Sequence, residues 1–414
     1  MASEWRPIKL GEVCTKIGSG ATPRGGKDVY VATGPYALIR SQNIHNDGFS
    51  VDGLAYIGQG HASELENVAV LEGDVLLNIT GDSVARCSQV DPVVLPARVN
   101  QHVAIIRPDP GQLDPRFLRY ALVSPHIQQL LLSWAASGAT RHALTKSMIE
   151  SLEVVAPVDV EEQRAIADIL GALDAKIALN RRMTETLEAL ARTLFQSWLV
   201  GLDLTRRRVT DLIAEGVLEV GDGYRAKNSE MGTPGLPFIR AGDLRNGIDT
   251  SGAEILRQDS VAKAGRKVAI AGDVAFTSKG TVGRFARVSS NTPAFVYSPQ
   301  VCYWRSLDAE RVRPAVLYCW MQSEDLKSQI HSVARETDMA PYVSLRDQRK
   351  MTIPDFPASQ AEIAAILDPL LGRQALASAE TRTLAALRDT LLPKLISGDL
   401  HVPDTERFLV ASSR

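Results

Sequence analysis

The chain has 414 residues, 45% of them hydrophobic and 23% charged, and a net charge of −2. That length exceeds one hydrophobic core, and the balance is that of an ordinary globular protein, which predicts two or more domains. The near-neutral total excludes a uniformly basic nucleic-acid binder; no apolar run approaches the ~18 residues of a membrane span, and "MASEWRPIKL" lacks the features of a signal peptide, so a cytoplasmic protein is expected.

In chain order, "WRPIKLGEV" (5–13) is followed by a Gly-rich stretch, "IGSGATPRGG" (17–26). Gly18-Ser19-Gly20 has no third Gly at dinucleotide-fingerprint spacing and no strand-to-helix context, so it reads as a plain turn. "LIRSQNI" (38–44) leads on to "LEGDVLLNITGDSVA" (71–85), a turn-strand-turn phrase. "VLLNIT" and "VAIIRP" are short apolar runs bounded by Gly, Pro, Asp and Asn and predict strands. "DPRFLRYALVSPHIQQLLLSW" (114–134) predicts a helix, and "SGATRHALTKS" (137–147) a loop that mixes cations with small polar residues.

A long helix follows. "PVDVEE" places Asp159 three residues before Glu162, a capping-box spacing after a proline. From there Ile166, Leu170, Leu173, Ile177, Asn180, Thr184, Leu187, Ala191, Leu194 and Trp198 fall at alternating steps of four and three, the heptad seam of a coiled coil with a polar middle. About 36 residues of helix would be ~54 Å long at 1.5 Å per residue. Gly201 stands where a helix C-terminus favours glycine.

Past residue 200 the whole series recurs. "FIRAGDL" (238–244) answers "LIRSQNI" at an offset of 200, "IAGDVAFTSKGTVGR" (270–284) answers the G-D-V phrase at 199, and "QAEIAAIL" (360–367) answers "QRAIADIL" (163–170) at 197. "VAFTSK" and "VCYWRS" predict strands, "VRPAVLYCWMQSEDLKSQIHSV" (312–333) a helix, and "RETDMAPYVSL" (335–345) the matching loop. Ser359 precedes Glu362 by three, and the second seam runs Ile363, Leu367, Leu370, Gln374, Ala377, Thr381, Leu384, Arg388, Leu391, Leu395, with Gly398 beyond it. The fold class is therefore α+β, two tandem pseudo-repeats, each a mixed α/β domain followed by a long helix. The seam profile alone leaves helix orientation open; the globular part between the helices points to an antiparallel coiled coil.

Chemistry motifs are mostly missing. There is no GxxxxGK[ST] phosphate loop and no GxSxG elbow. Four cysteines form no CxxC pair, and seven histidines form no HxxxH pattern, so no metal, no cofactor and no catalytic role are expected. Residues 1–157 carry 13 Lys+Arg against 15 Asp+Glu, whereas residues 201–357 carry 22 against 19. Any DNA binding would thus rely on a confined patch or a partner. Gly73, Asp74, Gly272 and Asp273 read as turn scaffold. Arg40 and Arg240, at strand ends, suit either a salt bridge or a phosphate contact.

The doubled order, with "W..IKLGEV", the G-D-V phrase, "VVAPVDVEEQRAIADIL" and the closing "LLPKLISGDL", resembles the specificity subunits of type I restriction-modification systems over nearly the whole chain. The resemblance implies target-recognition domains at 1–157 and 201–357, helical spacer regions at 158–200 and 358–400, and a tail at 401–414. It implies double-stranded DNA as ligand, a bipartite target read by two domains and spaced by a helical ruler, docking of two adenine methyltransferase subunits, and restriction subunits as further partners. Methyl transfer and cleavage would belong to those partners. "IGSGATPRGG" and "VGDGYRAKNSEMGTPG" differ, which implies unlike half-sites and an asymmetric target. The candidate DNA-binding residues are Arg24, Lys27, Arg40, Ser41, Asn78, Thr80, Arg86, Arg141, His142 and Lys146 in the first copy. Those in the second are Arg225, Lys227, Arg240, Lys279, Thr281, Arg284, Arg335, Tyr342 and Arg346. The competing reading is a non-catalytic protein-binding scaffold with a coiled-coil spacer, which the near-neutral charge favours; a self-sufficient methyltransferase or nuclease lacks its motifs.

Overall fold

The computed structural model describes residues 4–136, 143–245, 247–334 and 342–403. The chain divides into two units, Met1–Lys176 with Thr383–Arg414, and Ile177–Arg382. Each takes a piece of both long helices, Val160–Leu199 and Gln360–Ser397.

The first unit is built on a four-stranded antiparallel sheet in the order Cys14–Ser19, Val103–Pro108, Val75–Asn78, Cys87–Gln89. A second four-stranded sheet, ordered Ala55–Ile57, Tyr36–Ile39, Ala97–Val99, Ala69–Val70, includes a parallel pair between Tyr36–Ile39 and Ala97–Val99. Trp5–Lys9 pairs antiparallel with Glu153–Pro157 and brings the chain start to the foot of the first long helix. The second unit repeats this plan. Leu218–Gly221, Val301–Ser306, Val274–Thr277 and Phe285–Arg287 form the main sheet, Ile255–Arg257, Gly235–Ile239 and Val296–Tyr297 the second, and Arg206–Arg208 pairs with Thr352–Pro354.

The G-D-V phrase is repeated because it performs one structural task in each sheet. Gly73 and Gly272 turn at φ +87° and +95°, conformations that suit glycine. The Asp that follows is fully buried. Asp74 Oδ1 and Oδ2 accept from Arg107 Nε and Nη2 at 2.6 and 2.7 Å, and Asp273 accepts from Arg305 at 2.7 and 2.8 Å. Each carboxylate also closes its own turn, accepting from Leu71 N or Ile270 N. The clamp ties the turn to the neighbouring strand, and both oxygens of each buried carboxylate find partners.

Each predicted mid-domain helix is in fact two. Pro115–Val123 is capped by Asp114, whose carboxylate accepts from Arg116 N and Phe117 N, and it stops at Ser124 because Pro125 disfavours helical backbone before it. The second copy breaks at Gln322-Ser323 between Pro314–Met321 and Glu324–Ala334, where the Ser323 carbonyl accepts from Lys327 N and starts the new helix.

The long helices run antiparallel within each unit. In the first, Ile166, Ala167 and Leu170 share a core with Leu391, Leu392, Leu395 and Ile396; in the second, Ala191 and Phe195 share one with Ile363, Ala364, Leu367 and Leu371. Phe195 and Leu371 lie off the expected seam, since each helix packs on its partner helix and on sheet-bearing helices at once and so buries a face wider than a heptad stripe. Asn180 is fully buried and donates to Glu380 Oε2 at 2.9 Å.

The helix starts depart from the expected capping boxes. Asp159 Oδ1 accepts from Glu161 N at 2.9 Å rather than from Glu162 N. At Ser359 the backbone carbonyl, not the hydroxyl, receives Glu362 N at 3.0 Å. What anchors these ends is the buried pair of equivalent glutamines. Gln163 Oε1 accepts from Asp114 N and its amide donates to the Gln112 and Pro157 carbonyls; Gln360 Oε1 accepts from Arg313 N and its amide donates to those of Glu310 and Arg311. Gly201 and Gly398 follow the helices, both at φ +81°. Among the described residues, no helix is long and apolar enough to cross a membrane.

Candidate nucleic-acid interface

In each unit the residue after the G-D-V strand is held between two other segments. Ile79 N donates to His102 O at 2.9 Å while its carbonyl accepts from Leu144 N at 2.8 Å; Ser278 N donates to Gln300 O at 3.1 Å and its carbonyl accepts from Val343 N at 2.9 Å. Thr80 bridges to Ala143 and Lys279 to Tyr342.

A further segment closes on the same turn. Gly20 N donates to Val103 O and Ala21 N to Val99 O, and a Cβ on Gly20 would fall on the Val99 and Asn100 carbonyls. Tyr224 N donates to Tyr297 O at 2.7 Å, and a Cβ on Gly223 would fall on the Ser298 carbonyl. These glycines mark close backbone approach, which explains why two otherwise unlike Gly-rich stretches each keep one.

The short turn after the "IR" dipeptide is tied in differently in the two copies. Asn78 is fully buried, and its amide donates to the Ser41 carbonyl at 2.9 Å. Thr277 stands in its place and receives Arg284 N at 2.9 Å, while Arg284 Nη1 reaches the Ala241 carbonyl at 3.3 Å. Asn78, Ser41 and Arg284 thus brace one segment against another.

Arg40 Nη2 donates to Gly53 O at 2.6 Å, and its guanidinium stands 5.6 Å from the Tyr30 ring. Arg240 pairs with Glu254 and stands 5.7 Å from the Phe238 ring. Arg40 thus bonds a backbone carbonyl, and Arg240 forms an ion pair whose two side chains are exposed. Thr80 Oγ1 lies 2.6 Å from His102 Nδ1, and His102 Nε2 lies 2.9 Å from the Gln101 amide, which also meets Thr22. This polar chain across three segments escaped sequence reasoning. Its one signal was the turn between the two strands, "VNQHV" against "YSPQV".

Several of the candidate cations are exposed. Arg86, Lys27, Lys227, Lys279 and Arg346 have no side-chain partner among the described residues. Arg24 lies 3.9 Å from Glu64, Arg225 3.6 Å from Asp222 and Lys146 3.4 Å from Glu150, all mainly exposed. Tyr342 is 44% exposed, and the carbonyl of exposed Thr281 accepts from Thr277 Oγ1. Arg141, His142 and Arg335 lie outside the described residues, as does most of the tail.

Beside the second-unit site, Tyr224 donates to Glu230 Oε1 at 3.0 Å. Desolvation, and then Glu230, push the phenol up, while the Lys227 N–H, followed by Tyr224 and Ser260, holds the Glu230 carboxyl below its usual range. Among the described residues, no group of three or more His, Cys, Asp or Glu side chains is placed to hold a metal ion. The arrangement offers loops, amides, hydroxyls and exposed cations on a hydrogen-bonded frame, which suits recognition of a polar, anionic surface.

Residues 2–189 match the family model described as the type I restriction modification DNA specificity domain. Over 234 residues the chain is 28% identical to the type I restriction enzyme HindI specificity subunit of Haemophilus influenzae, an alignment covering 55% of this chain and 46%, less than half, of that protein. Over 330 residues it is 24% identical to the MjaIX specificity subunit of Methanocaldococcus jannaschii, covering 75% of this chain and 74% of that one. In fold, it superposes on the crystal structure of the S subunit of a type I restriction-modification system from M. genitalium with a TM-score of 0.65 at 17% identity, covering 95% of this chain and 96% of the other.

Proposed function

We propose that the chain is a specificity subunit of a type I restriction-modification system and that it reads a bipartite, asymmetric target in double-stranded DNA, one half-site through each unit. The observation that carries this reading is the doubled frame. The same backbone bonds recur around Ile79 and Ser278, while the side chains at the matched positions differ, Thr80 and His102 against Lys279 and Gln300. A shared frame with unlike tips is what two readers of different base sequences need. The recognition domains are 1–157 and 201–357, and the regions 158–200 and 358–400 act as the ruler that sets the gap and as the docking surface for two adenine methyltransferase subunits, with restriction subunits joining that assembly. Methyl transfer and cleavage are the partners' chemistry, and the complex works in the cytoplasm.

Modification mapping of the host genome, with the gene present and deleted, tests the proposal. Loss of adenine methylation at one two-part, non-palindromic motif is the expected result. Unchanged methylation while the chain and a neighbouring methyltransferase are both expressed would overturn it and favour a protein-binding scaffold.

A further inference from the structure

We propose that the second unit carries a phosphate-binding patch on the short helix Leu345–Lys350 and the strand beside it, which grips the DNA backbone next to the second half-site and has no counterpart in the first unit. The inference rests on the reading of the chain as a DNA-recognition subunit.

The helix is held in one orientation. Ser344 caps it, with Asp347 N donating to Ser344 Oγ at 3.1 Å and the Asp347 carboxylate turned back onto the same hydroxyl. Its inner face is fixed by Gln348, fully buried, which accepts from Trp304 Nε1 at 2.9 Å and donates to Val343 O at 3.2 Å. Arg346, Arg349 and Lys350, spaced three and four apart, therefore share the outer face. All three are exposed and have no side-chain partner among the described residues.

The strand adds a fourth cation. Val209 N donates to Met351 O at 2.9 Å and Thr210 Oγ1 to Arg349 O at 2.7 Å, which brings the strand end against the helix end. Arg208, opposite Thr352, is exposed with no side-chain partner among the described residues, whereas Arg206 and Arg207 are spent on Asp325 and Glu215. Among the described residues of the two short helices Val209–Ala214 and Leu345–Lys350 the carboxylates are Asp211 and Asp347, and the latter is committed to the helix cap. The cations outnumber them two to one.

The first unit has the same backbone and the opposite charge. Leu10 N donates to Leu152 O at 3.0 Å, the equivalent bond, beside the helix Lys146–Ser151. There Lys9 stands for Arg208, and Ser147, Glu150 and Ser151 stand for Arg346, Arg349 and Lys350. Lys146 is drawn to Glu150, and Glu12 and Glu153 flank the group. Scaffold needs are met equally in both units, so the extra cations of the second are not needed for folding. Because Tyr342 and Val343, which bond to Lys279 and Ser278, lead directly into this helix, the patch continues the recognition segments, and a nucleic-acid backbone is the polyanion it fits.

Backbone contacts release counterions, so each phosphate held contributes about −0.9 to the slope of log K against log salt. The test is that slope for the complex assembled with its methyltransferase, on a duplex carrying the methylated motif and on a scrambled duplex. The double variant Arg349→Gln, Lys350→Gln is expected to flatten it by about 2 on both duplexes alike, leaving the motif unchanged. The charge-keeping pair Arg349→Lys, Lys350→Arg should retain the slope, as should Ser147→Gln with Ser151→Gln in the first unit. A double variant with the wild-type slope and intact assembly overturns the proposal. A wild-type slope with lost methyltransferase association overturns it too and assigns the patch to an acidic protein partner. If the wild-type complex binds neither duplex, it is the DNA-recognition reading itself that fails, and the patch with it.

Discussion

Asp273 and Arg305 meet edge to edge, Oδ1 to Nε at 2.7 Å and Oδ2 to Nη2 at 2.8 Å, with the carboxylate fully buried and the guanidinium 7% exposed. Tyr297 donates to the same carboxylate at 2.9 Å. Removing one partner leaves the other charge buried and uncompensated. Asp273→Asn should therefore destabilise the protein by about 3–5 kcal/mol, read from the midpoint of denaturant unfolding. The equivalent Asp74→Asn should cost less, because Arg107 is 25% exposed and water can replace part of the loss. Equal costs would mean that the two clamps are not graded by burial.

Gly20 sits where a methyl group meets two backbone carbonyls. Neither carbonyl can rotate away without breaking the turn that receives Ala21 N and holds Gln101 and His102. Gly20→Ala is expected to cost about 1–3 kcal/mol and to blur one half-site of the methylation motif while leaving the other intact. Gly81→Ala, a loop glycine with open space around it but a φ of +76°, should cost only about 1 kcal/mol. Motif sequencing after each substitution reads the difference; two half-sites blurred together would point to general unfolding instead.

Glu230 has its pKa held down in the folded state by the Lys227 N–H, Tyr224 and Ser260. A group whose folded value lies below its unfolded one stabilises the fold above the unfolded value, and that contribution is lost as pH falls through the folded value. Stability measured from neutral pH down through the carboxylate range should therefore decline, and Glu230→Gln should make that decline shallower. A variant with the wild-type acid limb would show that this carboxylate is not among the groups responsible.

Seven residues of helix span about 10.5 Å, roughly three base pairs of duplex. Deleting one heptad from each long helix should shorten the gap between half-sites by about that amount and leave both half-site sequences alone, as read by methylation mapping. An unchanged gap with altered half-sites would sink the ruler reading.

Much of this organisation is set by short-range pattern. The offsets near 200, the Gly-Asp turns, the strands "VLLNIT" and "VCYWRS" and the heptad seams all rest on periodicity and local backbone preference, which a linear reading captures. Their partners do not. Asn78, a candidate for DNA contact, turns inward to Ser41, 37 residues away. Arg40 and Arg240 are bound to Gly53 and Glu254, and Gln163 and Gln360, unremarked within a helix start, tie that start to a distant loop. Whether a polar side chain braces the fold or stays free for a ligand depends on which distant donors and acceptors the packing brings within about 3 Å, and burial then makes leaving one unpaired costly. The sequence by itself determined the two copies, their elements and the helices that follow them; the tertiary structure alone decided which arginines and lysines remain free to meet an anion.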